Sequence, residues 1–292
     1  MSSEVLQLAL AGLGTGSIYA LIALGFNIIF KATDAINFAQ GEWVMMGGMI
    51  AAALYASGTV PLVAACLGAV TLVALIGLLS ERLVIRPIRS PTPMLVTLVS
   101  IGLAISSKSL VMLVLGKNPA GLPGFSGEAS IRIGGATIQP QTLWIVGIAA
   151  LVMVAAQLFF DRTVLGKSMR ASAAQPEAAA LVGISPRLAL ASAFGIAAAV
   201  GAIAGVIITP LTLTSFDQGT TMGFKGFSAA MLGGLGSLPG ALIGGLVLGL
   251  LETLAAGYVS SAFKDAVAFV VLLAVLFLRP VGILGKGSVD RV

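Results

Sequence analysis

The sequence predicts an all-α polytopic membrane protein of about eight transmembrane helices, with broken or re-entrant half-helices near residues 31–42 and 223–257. Three observations carry that prediction. Of 292 residues, 58% are hydrophobic and only 9% charged, and the mean hydropathy is +1.08, which leaves too little polar surface to cover a soluble globule. Uncharged runs long enough to cross a bilayer recur along the whole chain. The basic residues sit at the ends of these runs without interleaved aromatics, so the net charge of +5 reflects membrane topology rather than nucleic-acid binding. The lipid bilayer is the expected surrounding, no nucleic-acid partner is expected, and residues 1–292 read as a single transmembrane domain.

Val5 to Phe30 is an uncharged run of about 39 Å as a helix, longer than the roughly 30 Å hydrocarbon core. It reads as an uncleaved first span, because no basic region precedes it. Gly12 and Gly16 form a small-residue pair suited to close helix contact. Residues 31–42, KATDAINFAQGE, are too apolar for a free loop and too polar for lipid. They read as a break beside a cavity, or else as an interfacial turn between two ordinary spans. Trp43–Ser57 and Val60–Ser80 supply the second and third spans, with Gly58 and Thr59 between them.

Glu81–Pro91 carries Arg82, Arg86 and Arg89, and its prolines predict extended chain at a membrane face. Met94–Leu115 is a fourth span with a polar midsection from Thr97 to Ser109. Lys108 lies inside it, seven residues from the end, and either snorkels out or faces a pathway. Gly116–Pro140 is Gly- and Pro-rich, with Glu128 against two basic residues, and predicts an external loop with a small hairpin at Ile131–Ile138. Gln141–Phe160 and Leu188–Pro210 are the fifth and sixth spans, and Phe263–Leu278 is the last.

Between the fifth and sixth spans lies a polar stretch, Asp161–Arg187, holding four of the chain's 16 basic residues. Pro176, Glu177 and Gly183 predict a short helix there, with a helical first proline, an acid near the positive end and a left-handed stop. In residues 223–252, Gly233, Gly234, Gly236, Pro239 and Gly240 predict two half-helices meeting at 236–239 and then packing closely. A single glycine-kinked span is the alternative. Short-loop basic residues number three in 81–91 and four in 161–187, against two in the 25 residues of 116–140. Positive-inside bias puts the first two loops in the cytoplasm, together with a tail bearing Arg279, Lys286 and Arg291. The side of the amino terminus depends on whether 31–42 is re-entrant.

No catalytic constellation is present. The chain has no His and one Cys, Cys66, so His chemistry and an intrachain disulfide are excluded, and neither a metal site nor a cofactor is expected. There is no Walker sequence for nucleotide hydrolysis. Glu42 and Glu252 are the only carboxylates expected near membrane depth, fewer than proton-coupled transport usually draws on. The reading is therefore a permease driven by a separate motor, with an ion-coupled secondary transporter or a passive channel as rival classes.

The ordered segments INFAQGEWVMMGG (36–48), RPIRSPTP (86–93), RTVLGKSMRASAAQPEAAALVGI (162–184), GFKGFSAAMLGGLGSLPGALIGGLVLGLLE (223–252) and FVVLLAVLFLRPVGILG (269–285) resemble the branched-chain amino acid ABC transporter permease family. They are most similar to the shorter of its two paired membrane subunits. The resemblance implies an importer in a bacterial inner membrane. Its expected partners are a second homologous permease, two cytoplasmic ABC ATPase subunits and a periplasmic substrate-binding protein. It also implies that Gly166, Arg170, Glu177, Ala178 and Gly183 belong to a loop that docks on the ATPase. Arg170 alternatively reaches lipid headgroups. The solute path is expected at Asn27, Asn37, Gln40, Glu42 and Thr97, carrying branched-chain amino acids or small polar solutes such as amides, urea or short carboxylates. Gln40 stands where related sequences often have His, and an amide side chain carries no titrating proton there.

Overall fold

The computed structural model describes residues 2–89, 92–127, 129–133, 135–279 and 281–285. Pro91, Glu128, Pro280, Lys286 and Arg291 lie outside them. Helix α1, Ser2–Thr33, is the axis of the molecule, with Ile18 to Ile29 buried almost without interruption. Its glycines explain how neighbours come so close. A Cβ on Gly16 would lie 2.8 Å from the Leu246 Cα, and one on Gly249 would lie 2.3 Å from the Gly16 backbone. Small residues on both sides thus let two backbones touch, which is how helices associate where lipid removes the hydrophobic drive.

Helix α2, Gln40–Ala56, is followed by α3, Leu62–Ser80, and packs against it. The extended segment expected after Ser80 is instead one turn of π-helix, Glu81–Ile85, continuous with α3. Pro87 falls beyond it, and the buried Glu81 carboxylate, 1% exposed, accepts from Arg86 Nε at 3.4 Å. Helix α4, Pro93–Val114, opens with the Thr92 hydroxyl accepting from the Leu95 amide. The expected hairpin forms from β1, Ile131–Ile133, and β2, Ala136–Ile138, with Ile131 opposite Ile138. The Gln7 amide exchanges two hydrogen bonds with Thr137, fixing the hairpin to the start of α1.

Helix α5, Pro140–Arg162, leads into two short helices, α6, Val164–Ala174, and α7, Pro176–Leu181. Only α7 is legible in the sequence, and Gly183 follows it at φ +83°, as a left-handed stop requires. Helix α8, Pro186–Ile208, packs on α2 and α3. Then α9, Gln218–Gly233, and α10, Leu238–Tyr258, form a hairpin whose elbow is Gly234–Ser237. Gly234 and Gly236 have φ of +107° and +76°, a backbone region other residues rarely adopt. The chain reverses here, so the break falls where the glycines predict it, while α10 is a full 21-residue helix rather than a half-helix.

Helix α11, Lys264–Leu278, completes the bundle. Beyond it the amides of Ile283 and Leu284 donate to the carbonyls of Leu232 and Gly233, each at 2.9 Å, satisfying acceptors that the end of α9 leaves open. Six of the described helices are long and apolar enough to cross a membrane: α1, α3, α4, α5, α8 and α10. Helices α2, α9 and α11 are shorter, at 17, 16 and 15 residues, so helix length does not reproduce the expected count of eight. The outward faces of α3, α4 and α5 expose Leu67, Ile105, Leu113 and Leu151, an apolar perimeter that suits hydrocarbon.

Candidate functional site

The site begins where α1 stops. Asp34, exposed, takes φ +53° and turns the chain while its amide still donates to the Phe30 carbonyl, and residues 35–39 then run as non-helical chain, with Ala35, Asn37 and Ala39 buried and Ile36 and Phe38 half-buried. Non-helical backbone at this depth needs partners from outside the segment. They come from α4: the Ile36 amide donates to Thr97 Oγ1 at 3.2 Å and the Phe38 amide to Ser100 Oγ at 3.0 Å. The Ala39 amide donates to Asn37 Oδ1 at 3.2 Å, one turn ahead of α2. The break near 31–42 is therefore a built element rather than an interfacial turn, and Thr97 is one of its supports.

Around it cluster four buried polar atoms with no hydrogen-bonding partner among the described residues: Asn37 Nδ2, Gln40 Oε1, Glu42 Oε2 and Trp43 Nε1. Such atoms are uncommon, because leaving one unsatisfied costs about 1–3 kcal/mol. Gln40, fully buried, donates from Nε2 to the Ala197 carbonyl at 3.0 Å. It is wedged where a Cβ on Gly25 would lie 1.9 Å from that nitrogen. Trp43 packs edge-on against Phe194, with ring centroids 6.1 Å apart.

Glu42 looks the other way, toward α9. Its Oε1 accepts from the Thr220 hydroxyl at 3.1 Å, and the carboxylate lies at the positive N-terminal turn of that helix. Glu42 and Thr220 line a cavity of about 360 Å³ with Phe38, Ile101, Ala104, Ile105, Lys108, Gly223 and Phe224. Lys108 is half-buried, stands 5.7 Å above the Phe216 ring, and is the cation whose field reaches Glu42. It thus lines the cavity rather than extending along α4 to its end. Asp217, in the loop before α9, is held below the usual aspartate range, chiefly by the hydroxyl of Ser215.

Asn27 lies elsewhere. Its Nδ2 donates to the carbonyl of Ser237 at 2.8 Å and its Oδ1 accepts from the Gly236 amide at 3.2 Å, so α1 grips the elbow. Gly233 and Gly240 meet across the same hairpin: a Cβ on Gly233 would lie 1.9 Å from the Gly240 carbonyl oxygen. Pro239 is exposed in the first turn of α10.

The elbow borders the loop 161–187. A cavity of about 530 Å³ is lined by Asp161 and Arg170 on one side and Gly236, Ser237 and Pro239 on the other. Arg170 pairs with Asp161 at 3.3 Å, both ends substantially exposed. A Cβ on Gly166 would lie 2.3 Å from the Phe159 carbonyl oxygen, which fixes α6 against the end of α5. Glu177, Ala178 and Gly183 are exposed, as are Leu181 and Val182 at 89% and 77%.

One cluster escaped the sequence reading, which placed Lys108 inside a span and gave Lys225 no role. Lys225, 5% exposed, meets Glu252 at 2.8 Å and Asp265 at 2.6 Å, and Lys264 approaches Glu252 at 3.5 Å. The signal was available: Lys225 and Glu252 are equidistant from the Leu238–Pro239 junction, so a hairpin folding there brings them together.

The family model for the permease component of the branched-chain amino acid transport system matches residues 8–276. The high-affinity branched-chain amino acid transport system permease protein LivH of Escherichia coli is 36% identical, covering 98% of this chain and 97% of that protein. The corresponding permease BraD of Pseudomonas aeruginosa is 36% identical, covering 98% of each chain. The ribose import permease RbsC of E. coli is a more distant relative, 28% identical over 89% of this chain and 82% of that protein. A full-length match at this identity, on a bundle of apolar helices, makes the chain a transport permease rather than an enzyme, and a member of the branched-chain amino acid transport permease family.

Proposed function

We propose that the chain is the membrane subunit of a binding-protein-dependent importer, carrying branched-chain amino acids or related small polar solutes by alternating access. The carrying observation is the group of four unsatisfied polar atoms at the α1–α2 break, beside a cavity that holds Glu42 and Lys108. Polar groups left unspent at membrane depth are suited to weak, transient contact with a passing solute. Asn37, Gln40 and Glu42 supply three of these groups, and Trp43 the fourth. Thr97 holds the break open from α4, and Asn27 acts from the elbow.

Energy enters from outside the chain. Exposed α7 and the Arg170 end of α6 offer a docking surface for a cytoplasmic ATPase, with Glu177, Ala178 and Gly183 on it. Displacement of α6 bears on the elbow through their shared cavity, and Asn27 carries it into the last turns of α1, which lead directly into the break. The flexing points are Gly233, Gly234, Gly236, Pro239 and Gly240. A second, homologous permease would cover the open side of the Glu42 cavity, two ATPases would occupy the α6–α7 end, and a periplasmic binding protein would deliver solute at the other end. The setting is the inner membrane of a bacterium, with 161–187 in the cytoplasm.

The test is uptake of labelled leucine by vesicles containing the assembled transporter. Uptake should require ATP and an intact ATPase. Accumulation driven by an ion gradient alone would overturn the reading.

A further inference from the structure

A separate cavity of about 370 Å³ lies where α6 and the start of α7 face the π-helical turn Glu81–Ile85 and the last turn of α1. It shares no lining residue with the Glu42 cavity, and its volume falls within the usual range for small-molecule sites. Two of its walls carry buried polar atoms with no hydrogen-bonding partner among the described residues: Glu81 Oε2 on the π-turn and Ser172 Oγ on α6. These residues are 1% and 8% exposed. Such atoms are uncommon in folded proteins, so two on one cavity point to a partner that completes them. The π-turn is a second sign, because single turns of this kind concentrate at functional sites. Most of the remaining lining is apolar, with Ile85, Val96, Met169 and Leu190 among it.

Charge decides what that partner is. Glu81 Oε1 already accepts from Arg86 Nε at 3.4 Å, which balances the carboxylate, and exposed Arg187 adds a further positive charge to the lining. A cationic ligand would place a third positive charge beside the two arginines, and an anionic one would bring a second negative charge to a buried carboxylate. A neutral group suits both orphaned atoms. A primary carboxamide donates an N–H to Glu81 Oε2 and accepts the Ser172 hydroxyl proton at its carbonyl oxygen. We propose that this cavity is a regulatory site for a small neutral primary amide on an apolar body, which enters from the cytoplasm and slows the transporter. The side of entry and the effect rest on the importer reading above; the ligand class does not. The effect follows from which walls move. Helices α6 and α7 carry the docking surface assigned to the ATPase, while Ala32 and Thr33 end α1, just before Asp34 turns the chain into the break. A ligand bonded to both Ser172 and Glu81 ties α6 to the π-turn and resists the displacement that transport requires.

The test uses the assembled transporter in lipid nanodiscs, where both faces are reachable, with Cys66→Ala and Leu190→Cys placing one thiol in the cavity wall. The rate of modification by a small charged thiol reagent is measured with four probes: hexanamide, N,N-dimethylhexanamide, hexanoate and hexylamine. Hexanamide should slow modification at least fivefold, and the other three less than twofold. At the same concentration hexanamide should cut substrate-stimulated ATP hydrolysis at least threefold. Adding Glu81→Met should abolish the protection. Ser172→Ala, which leaves the Glu81–Arg86 pair intact, should weaken both protection and inhibition severalfold. Equal protection by the dimethyl amide, which has no N–H to donate, or no protection by hexanamide, overturns the site and leaves the cavity to water alone. Protection with unchanged ATP hydrolysis overturns the regulatory role. Protection in a preparation whose ATP hydrolysis does not respond to substrate overturns the importer reading and leaves the amide site standing.

Discussion

Lys225 of α9 and Glu252 of α10 meet at 2.8 Å inside the bundle, one on each arm of the elbow hairpin. Asp265 and Lys264 of α11 close the group from the outer side. The cluster joins three helices and is separate from the cavity. Removing one member leaves a buried charge with fewer partners, which for a simple buried pair costs about 3–5 kcal/mol. Lys225→Met should therefore lower the thermal stability of the purified protein more than the double variant Lys225→Met with Glu252→Gln. Thermal unfolding in detergent measures both, and a double variant no more stable than the single would remove the cluster's role.

Asn27→Ala strips the elbow of a donor and an acceptor. Leaving the Gly236 amide and Ser237 carbonyl unsatisfied costs about 1–3 kcal/mol each. Uptake should fall about tenfold or more, with the protein still present in the membrane. Wild-type uptake from a normally expressed variant would show that the elbow needs no grip from α1.

Glycines should divide by what surrounds them. A Cβ on Gly205 would lie 1.9 Å from the Val44 carbonyl oxygen, whereas Gly147 has nothing within 4 Å. Gly205→Ala should separate α2 from α8 and reduce both stability and yield. Gly147→Ala should be neutral or gain up to about 1 kcal/mol from helix propensity. Yield and detergent melting of the two variants make the comparison.

Arg170→Ala combined with Glu177→Ala should cut substrate-stimulated ATP hydrolysis in the assembled transporter severalfold. The stability change should be under about 1 kcal/mol, because the Arg170–Asp161 pair is exposed and solvent-screened. Unchanged stimulation would place the docking surface elsewhere.

Cysteines at Ala178 and Asn118, both exposed positions, should label from opposite faces of sealed vesicles once Cys66 is replaced. Labelling from one face would refute the assignment of 161–187 to the cytoplasm.

Much of the architecture is written locally. Spans, the elbow and the α1–α10 seam follow from apolar runs, glycine clusters and small-residue spacing, all short-range signals. Helix α6 was missed because Thr163, Val164 and Gly166 read as loop. It is held by tertiary contact, with Met169 buried and Gly166 against α5, rather than by propensity. The site is split in the same way. Polar residues at 37–42 announce themselves in an apolar chain. That Asn27 serves the elbow, or that Lys108 shares a cavity with Glu42, depends on residues more than 60 positions away.

The short segment after α11 has a practical bearing. Because Ile283 and Leu284 are stitched to the end of α9, anything attached just beyond Gly285 pulls on the elbow itself. An affinity tag or fluorescent reporter at that point would perturb the moving part it was meant to observe, whereas the exposed start of the α4–α5 loop at Asn118 offers a quieter anchorage.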